Sequence, residues 1–127
     1  MAAAILLVDD NLIQAATRKA ILNRAGFEVA VCSGAQDALD WMQDPTRSDS
    51  LALIITDHVM PGMHGSGFAA AVRKTSATLP ILVISGLPDA ESEYLGMDVI
   101  FRSKPFAPDA LITLTRYLIT QPTTRTA

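Results

Sequence analysis

Cysteine occurs once in the 127 residues, so no internal disulfide can form and a reducing compartment suits the chain. Cys32 follows Val29-Ala30-Val31 and reads as a small buried strand residue rather than a reactive thiol. A surplus of positive charge is also missing. Ten Lys and Arg stand against 13 Asp and Glu, for a formal net charge of -3. With no basic field to hold a phosphate backbone, direct nucleic-acid binding is not expected. No apolar run approaches the roughly 20 residues of a membrane-spanning helix. The apolar start, Met1 to Val8, lacks the basic residues of a signal peptide and is cut short by Asp9-Asp10. Internal repeats and low-complexity segments are absent. These absences predict a cytoplasmic protein without membrane association.

What is present fits one globular domain. Half of the residues are hydrophobic and 18% are charged, enough to build a core and too apolar for disorder. Four apolar runs of strand length recur: Ile5–Val8, Leu51–Ile55, Ile81–Ile84 and Val99–Phe101, with Glu28–Cys32 as a weaker fifth. Their hydrophobicity is continuous rather than alternating, which predicts strands covered on both faces. Helical spacing fills the intervals. Thr17, Ile21 and Ala25 form one stripe, stopped by Gly26; Ala35, Ala38, Leu39 and Met42 form a second, closed by Pro45. Phe68, Ala69 and Val72 give a third. Ala107, Ala110, Leu111, Leu114 and Leu118 give the last, with Pro108 and Asp109 suited to its first turn. The segment Pro88–Gly96 is poor in strong apolar residues and predicts a short or irregular helix.

Strand and helix thus alternate about five times. That order predicts an α/β fold, a doubly wound five-stranded parallel sheet of flavodoxin-like type with helices on both faces. Residues 1–120 would form the domain and the polar residues 121–127 a tail or the start of a linker.

In such sheets functional groups gather beyond the carboxyl ends of the strands. Here the first strand ends in Asp9-Asp10, the third in Asp57 and the fourth in Ser85, while the fifth leads to Lys104. The first, third and fourth strands are neighbours in this order, so the groups would converge. Carboxylates a few ångströms apart repel by roughly 4 kcal/mol per pair at an effective dielectric of 20. Such a cluster raises a pKa or takes a cation. Its oxygen-only donors favour Mg²⁺ over zinc. A carboxylate can also attack phosphorus, and the transferred group then needs a cation and hydrogen-bond donors. Lys104 offers the first, and Ser85 and the backbone after Asp57 the second.

Val8-Asp9-Asp10-Asn11, Asp57 through Gly65, Ile84-Ser85-Gly86 and Lys104-Pro105-Phe106 together resemble the receiver domains of two-component systems. The similarity runs from about Ile5 to Ile119. It implies that Asp57 is phosphorylated, that Asp10, Asp57 and the Val59 carbonyl hold Mg²⁺, and that Asp9 acts through water. It further implies that Lys104 binds the phosphoryl group, that Ser85 moves to meet it, and that Phe101 swings inward as the switch aromatic. Lys104-Pro105 would be cis. The implied partners are a sensor histidine kinase or histidine phosphotransfer protein and an output partner. The resemblance describes a phosphoacceptor regulatory domain rather than an enzyme, with at most self-phosphorylation and slow loss of phosphate.

Several residues have plainer readings. Ser85 stands where Thr is more frequent in the family, and keeps the hydroxyl. Phe101 also suits ordinary sheet packing. His58 and His64 flank the Asp57 loop and raise a transition metal, but loop histidines are commonly exposed and the carboxylates favour a hard cation. One alternative is a receiver-like interaction module that is not phosphorylated; the intact Asp–Ser–Lys set argues against it. Another is a phosphatase with an aspartate nucleophile, which wants a second carboxylate where Val59 stands. Val59 and Leu87 carry no polar group to position an attacking water, which predicts a long-lived phosphoryl group.

Overall fold

The computed structural model describes residues 4–120, so the tail expected at residues 121–127 lies outside the described residues. Strands β1 (Ile5–Val8), β2 (Val29–Cys32), β3 (Leu53–Asp57), β4 (Ile81–Ser85) and β5 (Ile100–Ser103) form one sheet. Every pairing is parallel and the order is β2-β1-β3-β4-β5. The helices are α1 (Leu12–Arg24), α2 (Ala35–Trp41), the short α3 (Pro45–Ser48), α4 (Gly65–Thr75) and α5 (Pro108–Thr120). The link between β4 and β5 carries a 3₁₀ helix, Pro88–Tyr94, where the sequence predicts a short or irregular one. This is the expected doubly wound fold.

The continuous apolar runs are explained by burial on two sides. Leu6, Val8, Ile54, Ile81, Val83 and Phe101 face one core with α2, α4 and the 3₁₀ helix. Ile5, Leu7, Leu53, Ile55, Leu82 and Ile84 face the other with α1 and α5. Successive strand residues point to opposite faces, so each core takes every second one. Cys32 is a buried strand residue, and burial pushes its thiol up from its ordinary value.

One helix face differs from the sequence expectation. In α1 the buried residues are Ala15, Arg18 and Leu22, not the stripe Thr17, Ile21 and Ala25. The apolar spacing was misleading because the true stripe holds an arginine at its centre, which places that charge under the site described below. The 3₁₀ helix buries only Ala90 and Tyr94, too little apolar surface to hold a longer α-helix on the sheet.

Candidate functional site

The order β2-β1-β3 reverses the chain's direction of progress between β1 and β3, and the carboxyl ends of these strands open a crevice there. Register sets its contents. Val8 pairs with Thr56 and Asp57 with Ile84, so Asp9, Asp57 and Ser85 all emerge at one edge. One oxygen from each of Asp9, Asp10 and Asp57 lies within 4.8 Å of the others. Asp9 is fully buried and Asp57 nearly so, while Asp10 is exposed. The three offer oxygen ligands alone, a donor set that fits Mg²⁺.

Each buried carboxylate is fixed by named partners. Asp57 accepts from Lys104 Nζ on Oδ2 at 2.9 Å and from the His58 backbone N–H on Oδ1 at 2.9 Å. Lys104 is placed by a backbone bond to the Ser85 carbonyl, 2.8 Å, and the Lys104–Pro105 peptide is cis as expected. Asp9 accepts from the Asn11 N–H at 2.9 Å, and the Asn11 side chain in turn caps α1 by accepting from Gln14 N–H. The helix begins at the site because its cap is part of the acidic loop.

Two residues that the sequence did not mark out complete the arrangement. The Gln14 side-chain amide donates to Asp9 Oδ2 and lies 3.3 Å from Asp57 Oδ2. Carboxylates only accept, so its NH₂ group must face them. One turn further along α1, Arg18 Nη1 lies 3.3 Å from the same Asp9 oxygen, in a pair with side-chain exposures of 11% and 0%. Burial pushes the Arg18 guanidinium down from its ordinary value, while Asp9 and then Asp57 pull it up. The only sequence signal was position: Arg18 is three residues after Ala15 and four before Leu22.

The remaining sequence candidates fall into place around this centre. Ser85 is fully buried, and its Oγ accepts from the Leu87 N–H at 3.0 Å. Val59 is half-exposed, as is Leu87. Phe101 is buried against Tyr94 with ring centroids 5.7 Å apart. His58 differs from the expectation of an exposed loop histidine, being only 3% exposed. Its Nδ1 lies 2.7 Å from the Tyr94 hydroxyl and its Nε2 3.5 Å from Glu93 Oε2. Glu93 can only accept, which in the neutral ring selects a hydrogen on Nε2 and leaves Nδ1 to accept from the phenol. Burial, then Glu93 and Asp57, hold the Tyr94 phenol well above its usual range, so it remains a donor. With Nδ1 occupied by a phenol, His58 is not arranged as a metal ligand; His64 is exposed and stacks on it at 5.2 Å.

Fold and site define a doubly wound α/β domain with an acidic pocket at its switch point, opposed by a lysine that directly follows the last strand. Residues 5–116 match the family model of the response regulator receiver domain, and the chain belongs to that family. It is 25% identical over 126 residues to the alkaline phosphatase synthesis transcriptional regulatory protein SphR of Synechococcus elongatus, covering 93% of this chain and 49% of that protein. It is 29% identical over 118 residues to the transcriptional regulatory protein CpxR of Escherichia coli, covering 91% and 48%. Among solved structures it resembles the chemotaxis protein CheY4 of Vibrio cholerae with TM-score 0.80 and 28% identity, covering 93% of this chain and 99% of that one. The chain spans about half the length of these two curated relatives, and less of some others. Receiver domains are regulatory rather than catalytic, and they interact with histidine kinases and output domains. Among the described residues no helix is long and apolar enough to cross a membrane.

Proposed function

We propose that the chain is a cytoplasmic signalling switch in which Asp57 accepts a phosphoryl group from a histidine kinase or histidine phosphotransfer protein. The observation that carries this reading is the Asp57 carboxylate at the end of β3, held 2.9 Å from Lys104 Nζ beside two further carboxylates. One Asp57 oxygen forms the new O–P bond as the P–N bond to the donor histidine breaks. The electron pair stays on the imidazole nitrogen, which then takes a proton.

Lys104 faces the incoming phosphoryl oxygens and offsets their charge. Asp10, Asp57 and the Val59 carbonyl would hold Mg²⁺, with Asp9 acting through water, and the ion would supply further positive charge to those oxygens. Ser85 gives up its bond to the Leu87 N–H and turns its hydroxyl to the phosphoryl group. Phe101 repacks in response, and the altered face is read by an output partner. Residues 1–120 constitute the switching unit.

Intact-protein mass, taken after incubation with Mg²⁺ and a small acyl-phosphate donor, tests the reading. One phosphoryl adduct is expected in the native protein, and none in Asp57→Asn or without Mg²⁺. An equal adduct in Asp57→Asn would overturn the assignment.

A further inference from the structure

The acidic pocket carries more positive charge than its strand-end motifs supply. Besides Lys104 on Asp57, Arg18 from α1 sits on Asp9, and both partners of that second pair are buried. Asp9, Asp10 and Asp57 contribute three negative charges, Lys104 and Arg18 two positive ones. The Gln14 amide, on the same helix face one turn earlier, spans the gap between Asp9 and Asp57. Side chains four residues apart on a helix stack on one face, so the two act on Asp9 together.

We propose that Gln14 and Arg18 form a charge clamp that sets the affinity of this pocket for divalent cations. The inference rests on the reading of the pocket as a cation site and concerns how tightly it binds. Arg18 cancels most of the pull of Asp9 on an incoming cation, because a buried charge so close is poorly screened. The Gln14 NH₂ group carries partial positive charge toward the two carboxylates, and it must turn away when a cation takes its place. Both effects weaken binding. The pocket is therefore tuned to respond to cation and phosphoryl group together, rather than to be saturated by the cation alone.

The test is equilibrium binding of Mg²⁺ by calorimetry, repeated with Mn²⁺ by electron paramagnetic resonance, at fixed ionic strength. Arg18→Met should bind on the order of tenfold more tightly than the native protein. Gln14→Leu should bind a few-fold more tightly. Asp9→Asn alone should weaken binding, since it leaves Arg18 uncompensated. The double variant Asp9→Asn with Arg18→Met removes both buried charges together, which spares the fold an unpaired ion. It should bind several-fold more tightly than Asp9→Asn alone, because the unpaired positive charge of Arg18 is gone.

Arg18→Met that is folded but binds as the native protein or more weakly would overturn the proposal. So would a double variant as weak as Asp9→Asn. If Arg18→Met fails to fold, the double variant and Gln14→Leu decide by the same criteria. An absence of saturable binding in the native protein and every variant would instead defeat the cation-site reading, and the clamp with it. Loss of binding in Asp10→Asn, with tightening in Arg18→Met, would uphold both.

Discussion

At the scale of single residues, the site is organised by what each carboxylate is denied. Asp57 has one oxygen on a backbone N–H and the other on Lys104, and Asp9 is shared among Asn11, Gln14 and Arg18. Asp10 alone of the three is exposed, and so is open to an ion from solvent. The hydrolysis of an aspartyl phosphate needs a water held in line, and Val59 and Leu87, two residues after Asp57 and Ser85, are half-exposed and apolar. A long-lived phosphoryl group is therefore expected in the purified protein. Leu87→Asn should shorten its lifetime on the order of tenfold by giving water a hydrogen-bonding anchor. Decay followed by intact mass checks this, and rapid loss in the native protein would refute it.

The acidic residues, Ser85 and Lys104 were legible in the sequence because strand ends announce themselves where apolar runs stop. Arg18 was not. A charged residue in a helix is normally solvated, and three apolar-compatible positions at i, i+4 and i+8 suggested another face. Tyr94 was hidden for a related reason: its segment is too polar to show a period. His58 was visible, but its burial depends on a phenol 36 residues further along the chain.

At the scale of elements, the link from the Asp57 loop to the β4–β5 connection stands out. His58 follows Asp57 directly and meets Tyr94, which packs on Phe101. The start of α4 is pressed into the same place. Gly65 donates its N–H to the His58 carbonyl at 2.8 Å. A Cβ there would come within 2.7 Å of the Asp57 carbonyl oxygen and closer still to the Tyr94 hydroxyl. The glycine is required by this close approach, since neither backbone can yield without moving the Asp57 loop. Gly65→Ala should destabilise the protein by about 1–3 kcal/mol, read from the midpoint of denaturant unfolding. A midpoint unchanged from the native protein would show that the loop relaxes freely.

The five strands were legible to within two residues at their starts because burial on both faces leaves a simple apolar run. The 3₁₀ helix was legible only as a weakness. Pro88 begins it and Gly96, with positive φ, and Asp98 turn the chain back toward β5, so local turn chemistry rather than periodicity decides its shape.

At the scale of the whole molecule, two cores on opposite faces of one sheet hold five strand ends in fixed register, and the site is a consequence of that register. Asp9, Asp57 and Lys104 are far apart in sequence, yet strand pairing brings them together. Pre-organisation of this kind would place charge where, on the proposed function, the phosphoryl oxygens arrive. For the proposed switch the sheet would set a direction, since Ser85 and Phe101 lie on adjacent strands leading away from Asp57.

The most direct measurement locates the phosphoryl group itself. After treatment with Mg²⁺ and an acyl-phosphate donor, borohydride reduction converts a phosphorylated aspartate into homoserine, which peptide mass mapping places in the sequence. Homoserine at position 57 alone is the expected result. Homoserine at position 9 or 10, or none in folded protein shown to bind Mg²⁺, would contradict the assignment of Asp57 as the phosphoacceptor.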